Sequence, residues 1–180
     1  MKLKPIKPEH ENLNNMKLGI ISDTHDNIDT TRRAIEFFEK EEVDKVLHCG
    51  DMVAPFTAKL FDSESFDFYA VRGNNDGEPS LKQTVNNFGK WLGEIGKLNI
   101  GDERLAVYHG TKPKIVRALI DSGDYDYVFR GHTHEKKINK VDGTVELNPG
   151  GIKLPSQDEN LHVVIMDLKA QDFNFHEIEG

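Results

Sequence analysis

Leu18-Gly19-Ile20-Ile21-Ser22-Asp23-Thr24-His25-Asp26 is a short apolar run that ends in a carboxylate, an imidazole and a second carboxylate. An apolar run of this length bounded by turn residues reads as a buried strand. The same construction recurs down the chain. Val46-Leu47 runs into His48-Cys49-Gly50-Asp51, Phe68–Val71 into Arg72-Gly73-Asn74-Asn75-Asp76, and Leu105–Tyr108 into His109-Gly110. Tyr127–Phe129 then runs into Arg130-Gly131-His132-Thr133-His134, and Val145–Leu147 into Asn148-Pro149-Gly150-Gly151. Open α/β sheets bind ligands beyond the carboxyl ends of their strands, so these tips could converge on one site.

Working outward, the strand candidates are 17–22, 45–49, 66–71, 94–100, 104–109, 126–130, 136–141, 144–148, 161–168 and 172–178. Helix candidates lie at 29–42, behind an Asp29 cap, and at 55–62, 80–91 and 113–122. The last has Pro113 in its first turn, an Ile115, Val116, Leu119 and Ile120 stripe, and Gly123 where a helix C-terminus favours glycine. Val141-Asp142-Gly143-Thr144 reads as a two-residue hairpin turn. Crossover-connected units followed by an antiparallel meander imply an α/β protein of layered mixed sheets with helices outside. Residues 1–16 carry lysines, prolines and asparagines without apolar periodicity. They are expected to form a mobile extension, with 17–180 as a single domain.

Composition narrows the function. With 23 Lys and Arg against 31 Asp and Glu, the net charge is −8, and no basic tract offers a track for long DNA or RNA. The single Cys49 excludes an intrachain disulfide or a cysteine-rich zinc site, so any metal relies on His, Asp or Asn. No apolar run approaches the roughly 18–20 residues of a membrane span, and the N-terminal stretch lacks the apolar core of a signal peptide. The expectation is a cytoplasmic protein without a membrane partner, and assembly as a homodimer or larger homo-oligomer stays open.

Taken singly the tips are ordinary. Asp23-Thr24-His25 reads as a turn with a capping Asp, Asn74-Asn75-Asp76-Gly77 as a turn, and His109-Gly110 as an interior histidine. His132 and His134, two residues apart in a tight turn, make a stronger metal signal. Independent turns are not expected to place carboxylate, imidazole and amide at successive strand ends in this way. His48 reads as a packed histidine bonded to a neighbouring loop, Cys49 as a small buried hydrophobe, and His10, His162 and His176 as structural or solvated. Asp26 and Asp76 lie beside ligand candidates, where a carboxylate can orient a histidine or water.

In order, Asp23-Thr24-His25, Gly50-Asp51, Gly73-Asn74-Asn75-Asp76, His109-Gly110 and Gly131-His132-Thr133-His134 resemble the motifs of the calcineurin-like metallophosphoesterase superfamily, closely its small YfcE-type phosphodiesterases. The likeness runs from Met16 to the C-terminus. It implies a four-layer α/β/β/α sandwich of two mixed sheets flanked by helices, and a small phosphodiester substrate attacked by a metal-bridging hydroxide. It also implies two divalent ions, one held by Asp23, His25 and His134, the other by Asn74, His109 and His132, with Asp51 bridging. Mixed imidazole, carboxylate and amide ligands suit Mn, Fe, Co, Ni or Zn better than Mg or Ca, and Mn is favoured. The remaining expected catalytic residues are Asn75 and Asp76. Many relatives carry His where this chain has Asn75, which can donate a hydrogen bond but cannot transfer a proton near neutral pH. A phosphomonoesterase is the nearest rival, and a non-catalytic interaction scaffold of the same fold is the rival of a different class.

Overall fold

A computed structural model describes residues 16–152 and 160–180 of the chain. Most of the expected 1–16 extension therefore lies outside the described residues. Met16 departs from that reading: it is buried against the core, and its carbonyl accepts the Leu168 amide at 3.2 Å.

The order of elements is β1 (Lys17–Ile21), α1 (Ile28–Lys40), β2 (Lys45–His48), α2 (Pro55–Ala58) running into a 3₁₀ turn at Lys59–Phe61, β3 (Asp67–Ala70), α3 (Leu81–Val85) and β4 (Lys90–Trp91). Then come β5 (Ile95–Ile100), β6 (Glu103–Tyr108), α4 (Pro113–Asp121), β7 (Tyr127–Phe129), β8 (Lys137–Val141), β9 (Thr144–Asn148), β10 (Leu161–Asp167) and β11 (Asp172–Ile178). One sheet has the order β11-β10-β1-β2-β3-β4 and the other β5-β6-β7-β9-β8. Both are mixed. β1 to β4 run parallel, β10 pairs antiparallel with β1, and β11 antiparallel with β10 at the edge. β6, β7 and β9 run parallel, with β5 and β8 antiparallel at the edges.

Side-chain alternation builds the layers. Along β1, Leu18 and Ile20 join Leu47, Leu105, Val107, Phe129, Leu147 and Met166 in the apolar layer between the sheets. Ile21 faces the other way, toward Phe38 of α1, Phe61 and Leu81. In β6, Leu105 and Val107 point inward while Ala106 and Tyr108 meet Val116 and Ile120 of α4. Three apolar interfaces separate four layers, giving the α/β/β/α sandwich; each large side chain buried in them contributes roughly 1.5–3 kcal/mol over its exposed state.

The six runs that end in polar residues are the parallel strands β1, β2, β3, β6, β7 and β9. Two local expectations are revised. Asn27, not Asp29, caps α1, its Oδ1 accepting the Thr30 amide at 3.0 Å, and Asp29 sits in the first turn where it complements the helix dipole. The helix expected over 80–91 stops at Val85, because the Asn86 side chain takes the Trp91 amide at 2.9 Å and the chain turns into β4. The hairpin between β8 and β9 turns at Asp142 (φ 48°) and Gly143 (φ 94°), both in the left-handed region that a two-residue turn demands. No helix among the described residues is long and apolar enough to cross a membrane.

Candidate metal centre

The tips of the two sheets are laced together by main-chain bonds. The Asp23 amide donates to the Gly50 carbonyl at 3.0 Å and the His25 amide to the Asp51 carbonyl at 3.1 Å, joining the β1 and β2 tips. The Gly131 amide reaches the His109 carbonyl at 2.9 Å, joining the β6 and β7 tips. The His132 amide crosses between sheets to Asp23 Oδ2 at 3.0 Å. This closeness requires glycine most clearly where a Cβ on Gly73 would overlap Asp51 and where one on Gly131 would overlap Ser22 and Asp23. Asp23, His25, Asp51, His132 and His134 all have positive φ, between 44° and 71°. Such backbone costs about 1–3 kcal/mol per residue and persists where the surroundings over-determine it, characteristically at functional sites.

The hydrogen bonds fix which imidazole nitrogen faces the centre. His109 Nδ1 lies 2.9 Å from the Cys49 carbonyl, and His134 Nδ1 bonds the Ile152 carbonyl. A carbonyl only accepts, so each Nδ1 carries the proton, and each neutral ring turns the lone pair of Nε2 inward. His134 Nε2 stands 3.2 Å from Asp23 Oδ1 and 3.3 Å from His25 Nε2. His109 Nε2 stands 3.2 Å from Asp51 Oδ2 and 3.0 Å from Asn74 Oδ1. Asp51 Oδ2 is also 3.8 Å from His25 Nε2, and Asp23 Oδ1 is 3.8 Å from His25 Nε2 and 3.9 Å from His109 Nε2. Acceptor therefore faces acceptor around a buried focus, and Asp23 Oδ1 itself has no hydrogen-bond donor among the described residues.

Such an arrangement is satisfied by protons on the rings or by cations among them. Burial pushes Asp23 upward, but the His134 and His25 rings beside it, when they carry a proton on Nε2, outweigh it and hold the carboxyl below the usual range. Asp51 is likewise lowered, burial being overcome by His109 and Asn75. His134 is raised by its bond to Asp23. His109 is raised because Asp51 and Asp23 outweigh its burial. His132 is lowered by burial and by the neighbouring His109. Two compact groups, Asp23 with His25 and His134, and Asp23 with Asp51 and His109, have the reach to hold a metal ion. Their nitrogen and oxygen donors fit divalent transition metals.

The other expected residues take more particular places. Asn74 reaches the second group through His109, and the His132 ring stands edge-on to that of His109 with centroids 5.2 Å apart. The two flanking carboxylates orient main chain, not a histidine. Asp76 accepts the amides of Gly73 (2.7 Å), Val53 (2.7 Å) and Asp51 (3.1 Å). Asp26 Oδ1 accepts the Ala54 amide at 3.0 Å and the Thr57 hydroxyl at 2.5 Å. Asn75 donates to Asp51 from both its amide and its side chain. His48 accepts the Gly50 amide at Nδ1 (3.2 Å), so its Nε2–H points to the Thr24 hydroxyl at 3.2 Å and ties two tips together. Burial keeps it neutral, its pKa lowered to about 3. Cys49 is fully buried, which pushes its thiol up, and His162 pairs with Glu177 at 3.4 Å.

Supports absent from the sequence reading lie beneath the His132–His134 turn. Arg130 donates from Nε to Glu146 at 2.7 Å, and Lys137 reaches the other Glu146 oxygen at 2.8 Å. Arg130 Nη1 also donates to the Gly131 carbonyl at 3.2 Å and to Thr133 Oγ1 at 3.3 Å. Asn148 Nδ2 reaches the same two oxygens at 2.9 and 3.0 Å. Arg130 adjoining a Gly-His-Thr-His run was the available signal.

Imidazoles and carboxylates that converge from the parallel tips of two stacked mixed sheets define a metal-dependent phosphoesterase class of site. The chain belongs to the calcineurin-like phosphoesterase superfamily, whose domain matches residues 16–171. It is 41% identical over 145 residues to Phosphodiesterase MJ0936 of Methanocaldococcus jannaschii, covering 75% of this chain and 83% of that one. Among solved structures it is similar to an archaeal phosphodiesterase, with a TM-score of 0.82 and 34% identity over 90% of this chain and 99% of that one. In fold alone it is also similar to the YfcE phosphoesterase of E. coli, with a TM-score of 0.61 and 18% identity over 91% of this chain and all (100%) of that one.

Proposed function

We propose that the chain is a metal-dependent phosphodiesterase that hydrolyses small phosphodiesters. The observation that carries the metal dependence is the buried Asp23 Oδ1, without a donor among the described residues and within 3.9 Å of the Nε2 atoms of His25, His109 and His134. The diester preference is supported by the 41% identical relative, a phosphodiesterase by name. In this reading Asp23, His25 and His134 hold one divalent ion, Asn74, His109 and His132 the other, and Asp51 bridges them. Asp51 Oδ2 supports the bridging role, because it lies between His25 of one set and His109 of the other. When bound, two such ions make water nucleophilic at neutral pH and draw charge from the phosphoryl group. Mn is the favoured metal, with Ni, Co, Fe and Zn compatible with the same donors.

The chain's own residues supply position and electrostatics. Asp23 and Asp51 bring the ions together, the Nδ1 bonds to Cys49 and Ile152 aim the imidazoles, and Asp76 fixes the loop that carries Asn74 and Asn75. The overall charge of −8 gives a long polyanion no track and favours small, freely diffusing substrates in the cytoplasm. The full set of ligating side chains disfavours a scaffold that has shed its chemistry.

The test is turnover of bis(4-nitrophenyl) phosphate and 4-nitrophenyl phosphate before and after exhaustive chelation, with Mn²⁺, Ni²⁺ or Co²⁺ added back. Loss and recovery of activity, with the diester preferred, is expected. Activity that survives chelation overturns the metal reading, and a monoester preference overturns the diesterase reading.

A further inference from the structure

Asp51 is the residue on which the two halves of the centre meet, yet its own geometry is unfavourable. It is buried at 2% exposure, and its backbone sits at φ 58°, a left-handed conformation that Asp adopts at some cost and that its surroundings help to hold. The restraint comes from one turn. Asp76 accepts the Asp51 amide at 3.1 Å while binding the Gly73 amide at 2.7 Å, which fixes the turn against the Asp51 backbone. From that turn Asn75 reaches the carboxylate at both ends: its amide donates to Oδ1 and its side-chain Nδ2 to Oδ2, each at 2.8 Å.

Resting on the metal-dependent reading, we propose that Asn75 is a positioning residue that fixes the side-chain rotamer of Asp51 and aims Oδ2 at His25 and His109. A two-point clamp is what a bridging carboxylate needs, because rotation about its Cβ–Cγ bond would turn Oδ2 away from one imidazole. A carboxamide suits this role, because Nδ2 donates without ever taking the lone pair that Oδ2 offers to an ion. The same bond directs the amide toward Asp51, so Asn75 acts on the reaction through that carboxylate and not by protonating a departing oxygen. Leaving-group acidity then governs the rate, and diesters of acidic alcohols such as phenols are the substrate class the site favours.

The experiment is calorimetric titration of the metal-free protein with Mn²⁺, in wild type and in Asn75→Ala and Asn75→Leu. Both keep the backbone amide bond to Oδ1 and lose the bond to Oδ2. Removing such an outer partner of a metal ligand typically lowers affinity 10- to 100-fold, and a loss of that size is expected in both variants. The exposed side chain lets the variants fold, which matching melting temperatures of the metal-free proteins check. A second readout is the slope of log kcat/KM against leaving-group pKa over a series of aryl diesters at saturating Mn²⁺. It is expected to stay as in wild type. Wild-type Mn²⁺ affinity in the variants, or a steeper slope, overturns the proposal. A wild type that binds no Mn²⁺ or leaves diesters intact overturns the underlying phosphodiesterase reading instead.

Discussion

His109 Nδ1 and the Cys49 carbonyl, 2.9 Å apart, settle the orientation of the imidazole at the middle of the centre. With Nδ1 committed, Nε2 is the atom that a proton and a metal ion contend for, and the same holds at His134 through Ile152. Both rings have pKa values raised above the ordinary 6.5 by Asp23 and Asp51. We therefore predict that metal affinity falls as pH drops through neutrality. The limiting slope is about tenfold per pH unit for each proton displaced. Calorimetry in two buffers of different ionisation enthalpy measures the protons released. No release at pH 6.5 would contradict the raised pKa values of the two rings.

His48 gives the metal-free protein a loss of stability of its own at low pH. Its folded pKa of about 3 lies below the unfolded 6.5, so the unfolded chain binds the extra proton between those values. The stability this neutral ring contributes is present above pH 6.5 and is lost as pH falls toward 3. Between pH 7 and 5 the loss amounts to about 2 kcal/mol. Asp23 and Asp51, with lowered pKa values, add a further loss only below the ordinary carboxylate range near 4. Urea midpoints of the metal-free wild type and His48→Asn at the two pH values isolate the histidine. Equal pH dependence in both would show that His48 is not held neutral.

Breaking the ion pair beneath the His132–His134 turn should be costly. Arg130 and Glu146 are nearly buried, with side chains 10% and 7% exposed. Removing one partner of a buried pair typically costs 3–5 kcal/mol. Arg130→Met is expected near the low end, about 3 kcal/mol, because Lys137 stays on Glu146 at 2.8 Å. Denaturant unfolding of the variant measures this. A cost under about 1 kcal/mol, as for an exposed pair, would show that the turn does not depend on Arg130.

Much of the architecture is legible because its signals are local. Pro113 and Gly123 bracket α4, Asp142-Gly143 turns the β8–β9 hairpin, and each apolar run names its strand. The site is legible for a different reason: Asp23, Asp51, His109 and His132 each follow a parallel strand closely, so strand register carries them to one edge. What the sequence hides is the direction of hydrogen bonds across long separations. Asn75 and Asp51 stand 24 positions apart, and nothing in either tip indicates that the amide turns inward onto the carboxylate. Arg130 and Glu146 meet only because β7 pairs with β9 and leaves β8 outside, a strand order that no periodicity encodes. The helix expected over 80–91 fails on a single side chain, Asn86, whose oxygen captures the Trp91 amide.

Asp23 allows a test that separates metal binding from folding. Its Oδ2 accepts the His132 amide at 3.0 Å, while its buried Oδ1 has no donor among the described residues and faces the inward nitrogens of three imidazoles. Once His109 and His134 are deprotonated, their Nε2 atoms are lone pairs, so a carboxylate oxygen and two acceptors crowd one dry point. A buried polar atom left unsatisfied costs about 1–3 kcal/mol. Asp23→Asn keeps an oxygen on the His132 amide and puts an N–H donor where Oδ1 stood, 3.2 Å from His134 Nε2. We predict that the metal-free variant at pH 8.5 is more stable than the metal-free wild type by about 1–3 kcal/mol, the size of the relieved penalty. Mn²⁺ should raise the wild-type melting temperature by more than that of the variant, which loses the carboxylate of one of the two ion sites and keeps only that of Asp51. The measurement is thermal and urea unfolding of both proteins with and without Mn²⁺. A variant less stable than wild type when both are metal-free would mean that the wild-type cluster is already satisfied, by ring protons that persist at pH 8.5, and that the orphaned oxygen does not mark a place for a cation.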